Sequence, residues 1–372
     1  MGWGRPAGPG WVHPTPPCAV RGGDPEARPG PGYPGAMVRP IDNPPNPWES
    51  TRVEWLGEPP PARTQVYEEQ AGEVLSENDS PDLPFRWTFN PYRGCHHGCG
   101  YCYARNTHTW LGFGAGSDFE RRLVVKTNAV EQLGRRLASA GWRGERIAFS
   151  GVTDCYQPLE ASYELTRGAL ALCRDHRNPV AVVTKGALVE RDVDLLVQLC
   201  EHTPTVVYLS IPFADQADAA ALEPWASPIE ARFAALAALS AAGVTTGVSL
   251  APLLPGLNDH AIPELLGRAK AAGARHAFAN LLRLPGQVKE VFEQRLTEAL
   301  PGRARKILSA LDDSGAGRAG FGQRFVGQGP RWQTTWALFE THARRLGLAD
   351  RGPDPGPWPG FRRERGQGTL FG

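Results

Sequence analysis

From residue 86 onward, short β-type apolar runs alternate with longer stretches whose apolar positions recur every three to four residues. The short runs, at residues 86–90, 146–150, 180–184, 205–211, 245–250 and 276–282, are predicted to be strands. Helices are predicted between them near 126–140, 161–175, 189–200, 228–241 and 261–271. Strands separated by helices of roughly 10–15 residues imply right-handed βαβ units and a parallel sheet. Six such strands predict an α/β fold, an incomplete TIM-like (β/α)6 barrel, although the same periodicity permits a doubly wound open sheet. Both architectures carry their working residues in the loops that follow strand C-termini.

The flanks read differently. Residues 1–36 are half Gly and Pro, without apolar periodicity, and bury too little surface to offset the entropy of ordering. Met1 and Met37 are the chain's two methionines, and Met37 falls where this stretch ends. Two readings stand: a disordered tail, or a non-native extension before a start at Met37. Residues 37–84 read as loop-rich, with breakers at Asn43-Pro44-Pro45 and Pro59-Pro60-Pro61. The core domain is expected over 85–285. A C-terminal helical extension is expected over 286–350, its helices near 303–312 and 333–346 flanking a Gly-rich loop, with a flexible tail over 351–372.

Composition narrows the chemistry. A net charge of +1 over 372 residues argues against a strongly basic nucleic-acid coat. No apolar run approaches the ~18 residues of a membrane span, and the N-terminus lacks the apolar segment of a signal peptide. Seven cysteines are few and odd in number, and Cys95, Cys99 and Cys102 crowd into one loop. That usage fits a metal site in a reducing compartment, so the cytoplasm is expected, rather than a disulfide scaffold.

The first predicted strand runs into Asn90-Pro-Tyr-Arg-Gly-Cys95-His-His-Gly-Cys99-Gly-Tyr-Cys102-Tyr-Ala-Arg105. Three cysteines at C-x3-C-x2-C on a glycine-rich loop can wrap three corners of a cubane, with Gly94, Gly98 and Gly100 allowing sharp turns. With no fourth cysteine nearby, one iron would stay open. A Cys3His zinc site completed by His96 or His97 is the competing reading.

This string resembles the radical S-adenosylmethionine (SAM) superfamily, in its spore photoproduct lyase-like branch that includes uncharacterised bacterial members. By recognisable motifs the resemblance covers residues 86–284. It implies a [4Fe–4S] cluster on Cys95, Cys99 and Cys102 whose open iron is chelated by the methionine end of SAM. It further implies reductive cleavage of SAM to a 5′-deoxyadenosyl radical, with the electron supplied by an external ferredoxin- or flavodoxin-type reductant. Ser150, Thr153 and Asp154 match the segment that holds the SAM amino group, with helix capping as the ordinary alternative. Lys185 matches a lysine expected to pair with the SAM carboxylate, and Ser210 is expected to meet the ribose or carboxylate. Pro252 shapes the adenine loop, and Tyr101 packs near the adenosine. Gln157 and Glu160 are expected to look toward the barrel mouth.

Spore photoproduct lyase repairs a thymine dimer, and the branch's hydrogen donor is a cysteine relayed through tyrosines. Tyr101 and Tyr103 are the relay candidates here. Gly151 stands where the cysteine would be, which leaves Cys155 as a replacement donor or a small buried residue. The substrate class stays open between nucleic acid and a small molecule or protein. A non-enzymatic Fe–S electron carrier or zinc-stabilised binding module is the alternative to an enzyme. At the C-terminus, Gln367, Leu370 and Phe371 resemble the short peptide by which bacterial DNA-processing proteins dock on the sliding clamp.

Overall fold

The computed structural model describes residues 63–83, 85–316, 325–348 and 356–363. Cys18, Met37 and the clamp-like Gln367, Leu370 and Phe371 lie outside the described residues. In chain order the strands are β1 (Gln65–Glu69), β2 (Leu75–Glu77), β3 (Trp87–Phe89), β4 (Tyr92–Arg93), β5 (Arg122–Lys126), β6 (Ile147–Phe149), β7 (Val180–Thr184), β8 (Val206–Ser210), β9 (Thr246–Leu253) and β10 (His276–Leu281).

The main sheet has seven strands in the order β10-β9-β8-β7-β6-β3-β2. From β3 to β10 all neighbours run parallel, and β2 adds one antiparallel edge beside β3. The parallel strands follow the order of the chain without the reversal that defines a doubly wound sheet. This is the incomplete α/β barrel.

Side-chain alternation explains why these segments are strands. In β7, Val180 and Val182 are buried in the main core, while Ala181 and Val183 join Val206, Tyr208 and Phe278 in a separate apolar cluster. Buried on both faces, the parallel strands read as near-continuous apolar runs. One predicted helix is two: Glu160–Tyr163 and Leu165–Asp175 meet at Glu164, whose φ is 51°. The Glu160 carboxylate causes the break, because it accepts the Thr166 and Arg167 N–H groups (2.9 and 3.2 Å) at the start of the second helix.

The stretch read as loop-rich contributes β1 and β2. β1 joins a small second sheet, order β1-β5-β4, which feeds directly into the cysteine loop. Beyond β10 the helices are Val288–Ala299, Pro301–Asp313 and Gly329–Arg345, the first of which sequence patterning did not give. Among the described residues no helix is long and apolar enough to cross a membrane.

Candidate functional site

The cysteine loop leaves β4 and is stapled from both sides. Gln157, fully buried, donates to Gly94 O (3.2 Å) and accepts the His96 N–H (2.9 Å). On the other side Arg105, also fully buried, donates to Cys99 O (2.9 Å), Gly98 O (2.9 Å), Ala115 O (3.1 Å) and Gly116 O (2.7 Å). Arg295 adds a second bond to Gly98 O (3.0 Å), and both arginines close on the carboxylate of Glu120 at 2.7 and 3.0 Å. Gly98 has a φ of +67°, and a Cβ there would stand 2.5 Å from the Trp225 ring. No other residue type fits that turn.

The loop presents Cys95, Cys99 and Cys102 to a cavity of about 250 Å³ at the C-terminal ends of the parallel strands. Burial pushes all three thiols up, Cys99 to about 12. Desolvation disfavours the thiolate, so three such thiols need a cationic partner to ionise where they stand.

Facing them, the ends of β6, β7 and β8 carry a charged wall. Asp154 accepts the Thr184 hydroxyl (2.6 Å) and the backbone N–H groups of Lys185 (2.7 Å) and Tyr156 (2.9 Å). Its Oδ2 also stands 3.3 Å from His97 Nδ1. Burial pushes this carboxyl up, but His97 and these donors outweigh it and hold Asp154 well below the usual carboxylate range. Lys185 Nζ donates to Ser210 Oγ (2.9 Å), lies 5.7 Å from the Tyr101 ring centroid and 3.8 Å from Glu223. Ser210, Ser150, Thr153 and Pro252 line the same cavity.

Residues 89–269 match the model of the radical SAM superfamily. That stretch, just under half of the chain, is similar to a radical SAM domain. Its relatives include an uncharacterised protein of Mycobacterium tuberculosis strain H37Rv, 38% identical over 221 residues, 59% of this chain and 65% of the relative. This chain therefore spans just under two thirds of that protein's length. An uncharacterised Methanocaldococcus jannaschii protein is 28% identical over 215 residues, 58% of this chain and 78% of that one. The fold is that of spore photoproduct lyase: a variant solved with bound AdoMet and dinucleoside spore photoproduct superposes with a TM-score of 0.57 at 18% identity, over 77% of this chain and 82% of that one.

The site fits the cofactors of a radical SAM domain. Its donor set is three soft thiols around one cavity, and no further described cysteine lines that cavity: Cys155 and Cys173 are buried in the core, and Cys200 Sγ turns to Thr205 O. Of the histidines named for a zinc site, His96 packs against the Trp225 ring at 5.8 Å, while His97 lines the cavity with its Nδ1 3.3 Å from Asp154. Opposite the thiols, one lysine, a hydroxyl-rich β6 loop and the apolar Pro252 offer a charged end and an apolar end for a zwitterionic nucleoside.

Several expected residues sit elsewhere. Cys155 does not reach the cavity; it is packed in the core, its N–H held by Ser150 Oγ (2.9 Å) and its carbonyl by Thr166 (2.7 Å). Gln157 and Glu160 do not look into the barrel mouth either. Gln157 staples the loop, while Glu160 caps a helix and pairs with Arg191 at 2.8 Å. Tyr101 and Tyr103 both line the cavity, but the Tyr101 hydroxyl is taken by Glu223 and that of Tyr103 by Gly151 O. Ser150 sits at a φ of 76°, turning the chain sharply out of β6. Glu120, Glu223, Arg232 and Arg295 escaped sequence reasoning, because their partners are distant in the chain.

Proposed function

We propose that this chain is a radical SAM enzyme in which Cys95, Cys99 and Cys102 hold a [4Fe–4S] cluster with one iron left for SAM. The carrying observation is that Cys95, Cys99 and Cys102, and no fourth cysteine among the described residues, line one cavity at the strand C-termini. When bound, cluster and SAM supply a 5′-deoxyadenosyl radical, using one electron from a ferredoxin- or flavodoxin-type reductant, for hydrogen abstraction from a substrate. Lys185 offers its ammonium to the SAM carboxylate, and Ser210 holds Lys185 in place. Asp154, on the cavity wall, ties His97 of the cysteine loop to the end of β7. Thr153 and Ser150 fix the loop that would meet the SAM amino group, and Pro252 closes the apolar end. Residues 85–285 form the catalytic core, and helix Val288–Ala299 of the extension braces it through Arg295.

The hydrogen-return step of spore photoproduct repair does not carry over. A Cβ at Gly151 would stand 2.8 Å from Thr88 Cβ, and Cys155 is sealed in the core. This supports a reaction that closes without a protein thiol as hydrogen donor, with Tyr103 as the phenol nearest the solvent side of the cavity.

Anaerobic reconstitution is expected to give about four irons per chain. Cys95→Ala, Cys99→Ala and Cys102→Ala should each abolish uptake, whereas Cys155→Ala, Cys173→Ala and Cys200→Ala should keep it. The reduced protein should convert SAM to 5′-deoxyadenosine. Stoichiometric zinc without iron uptake would overturn the reading.

A further inference from the structure

Glu223 closes helix Gln216–Leu222, and its side chain is completely buried. Its Oε1 accepts the hydroxyl of Tyr101, the residue just before Cys102, and lies 3.8 Å from Lys185 Nζ. Its Oε2 lies 2.6 Å from Arg232 Nη1, and Arg232 also donates to Ser210 O (3.0 Å) and Ser227 O (2.6 Å). Burial pushes this carboxyl up, but Arg232 and Lys185 outweigh it, so Glu223 is an anion at neutral pH. A buried anion is costly unless it is paired, and this one faces the equally buried guanidinium of Arg232. Tyr101 and Lys185, which hold the Glu223 Oε1, both line the cavity to which Cys95, Cys99 and Cys102 are presented.

The potential of an iron–sulfur cluster depends on nearby charge and on solvent exclusion, and a charge in a dry site acts far more strongly than one in water. Resting on the reading of Cys95, Cys99 and Cys102 as cluster ligands, we propose that Glu223 is a positioning residue that lowers the cluster's reduction potential, with Lys185 acting in the opposite sense. The reduced cluster carries one more negative charge, which Glu223 repels and Lys185 attracts. An electron held less tightly is a stronger reductant, which is what breaking a sulfonium C–S bond demands. Tyr101, from the turn between Cys99 and Cys102, and Arg232 hold the carboxylate in place, so the bias is built into the fold.

The test is a redox titration followed by electron paramagnetic resonance, without SAM, on anaerobically reconstituted wild type, Glu223→Gln and Lys185→Met. Glutamine keeps the shape and the acceptor for Tyr101 but removes the charge. Glu223→Gln is expected to shift the midpoint upward and Lys185→Met downward, both at wild-type iron content. An iron-loaded Glu223→Gln whose midpoint is unchanged or lower overturns the inference. Should Glu223→Gln not take up iron, an unchanged or raised midpoint in Lys185→Met overturns it equally. Wild type that takes up no iron would overturn the cluster reading itself, a distinguishable failure.

Discussion

His108 never touches the cavity, yet it is completely buried beneath the loop that does. Its Nε2 bonds Arg122 O at 2.8 Å, its ring packs on Phe113 and Phe119, and its Nδ1 is buried without a hydrogen-bond partner. Burial lowers its pKa to about 4, so the native ring stays neutral where an unfolded one, near 6.5, has begun to protonate. The sign follows from linkage: the stabilisation is complete above about pH 6.5 and is lost as pH falls toward 4, a swing on the order of 3 kcal/mol. His108→Gln should flatten the fall in urea-unfolding stability across that window, and a variant as steep as wild type would refute this role. At this scale the sequence spoke clearly where chemistry is local. The cysteine spacing, Lys185 and Ser210 all face one cavity. Glu223 and Arg232 were silent because a buried charge pair has no spacing signature. Of the two readings open for Cys155, the structure shows the small buried residue, because proximity along the chain says nothing about which way a side chain turns.

Among elements, the six parallel strands were legible because each is a short, largely apolar run set off by helical stretches, and β7 coincides with its predicted bounds. The β1-β5-β4 sheet was not, since β4 has two residues, β1 is mostly exposed, and β5 offers only the short apolar run Leu123-Val124-Val125. That sheet launches the cysteine loop, and Arg105 then pins the loop's far side through four carbonyls and Glu120. Removing one partner from such a buried network strands the others without water. Arg105→Met is therefore expected to cost about 3–5 kcal/mol of unfolding free energy and to impair iron retention. Denaturant melts and iron assays would show it. A variant with unchanged midpoint and full iron would mean that Gln157 and Arg295 suffice to hold the loop.

At the scale of the whole molecule the barrel has two ends with separate duties. The cavity occupies the C-terminal ends of the strands, while residues 356–363 form a strap across the other end. There Trp358 N–H bonds Gly144 O (3.1 Å), just ahead of β6, and Arg362 N–H bonds His176 O (2.7 Å), just ahead of β7. His176 Nδ1 bonds back to Arg362 O (2.9 Å), the Phe361 ring stacks on His176 at 6.0 Å, and Arg363 reaches Trp142 O at 2.8 Å. Sequence reading assigned this stretch to a flexible tail because its Pro/Gly content hides a docking aromatic. Phe361 is half-buried, so truncation forfeits part of the transfer and cavity terms of a core phenylalanine, about 1–2 kcal/mol. Phe361→Ala should lower Tm by roughly 2–6 °C. Because the strap and the thiols sit at opposite ends of the strands, the same variant should keep wild-type iron content. A loss of iron matching the loss of stability would mean that the two ends unfold as one unit.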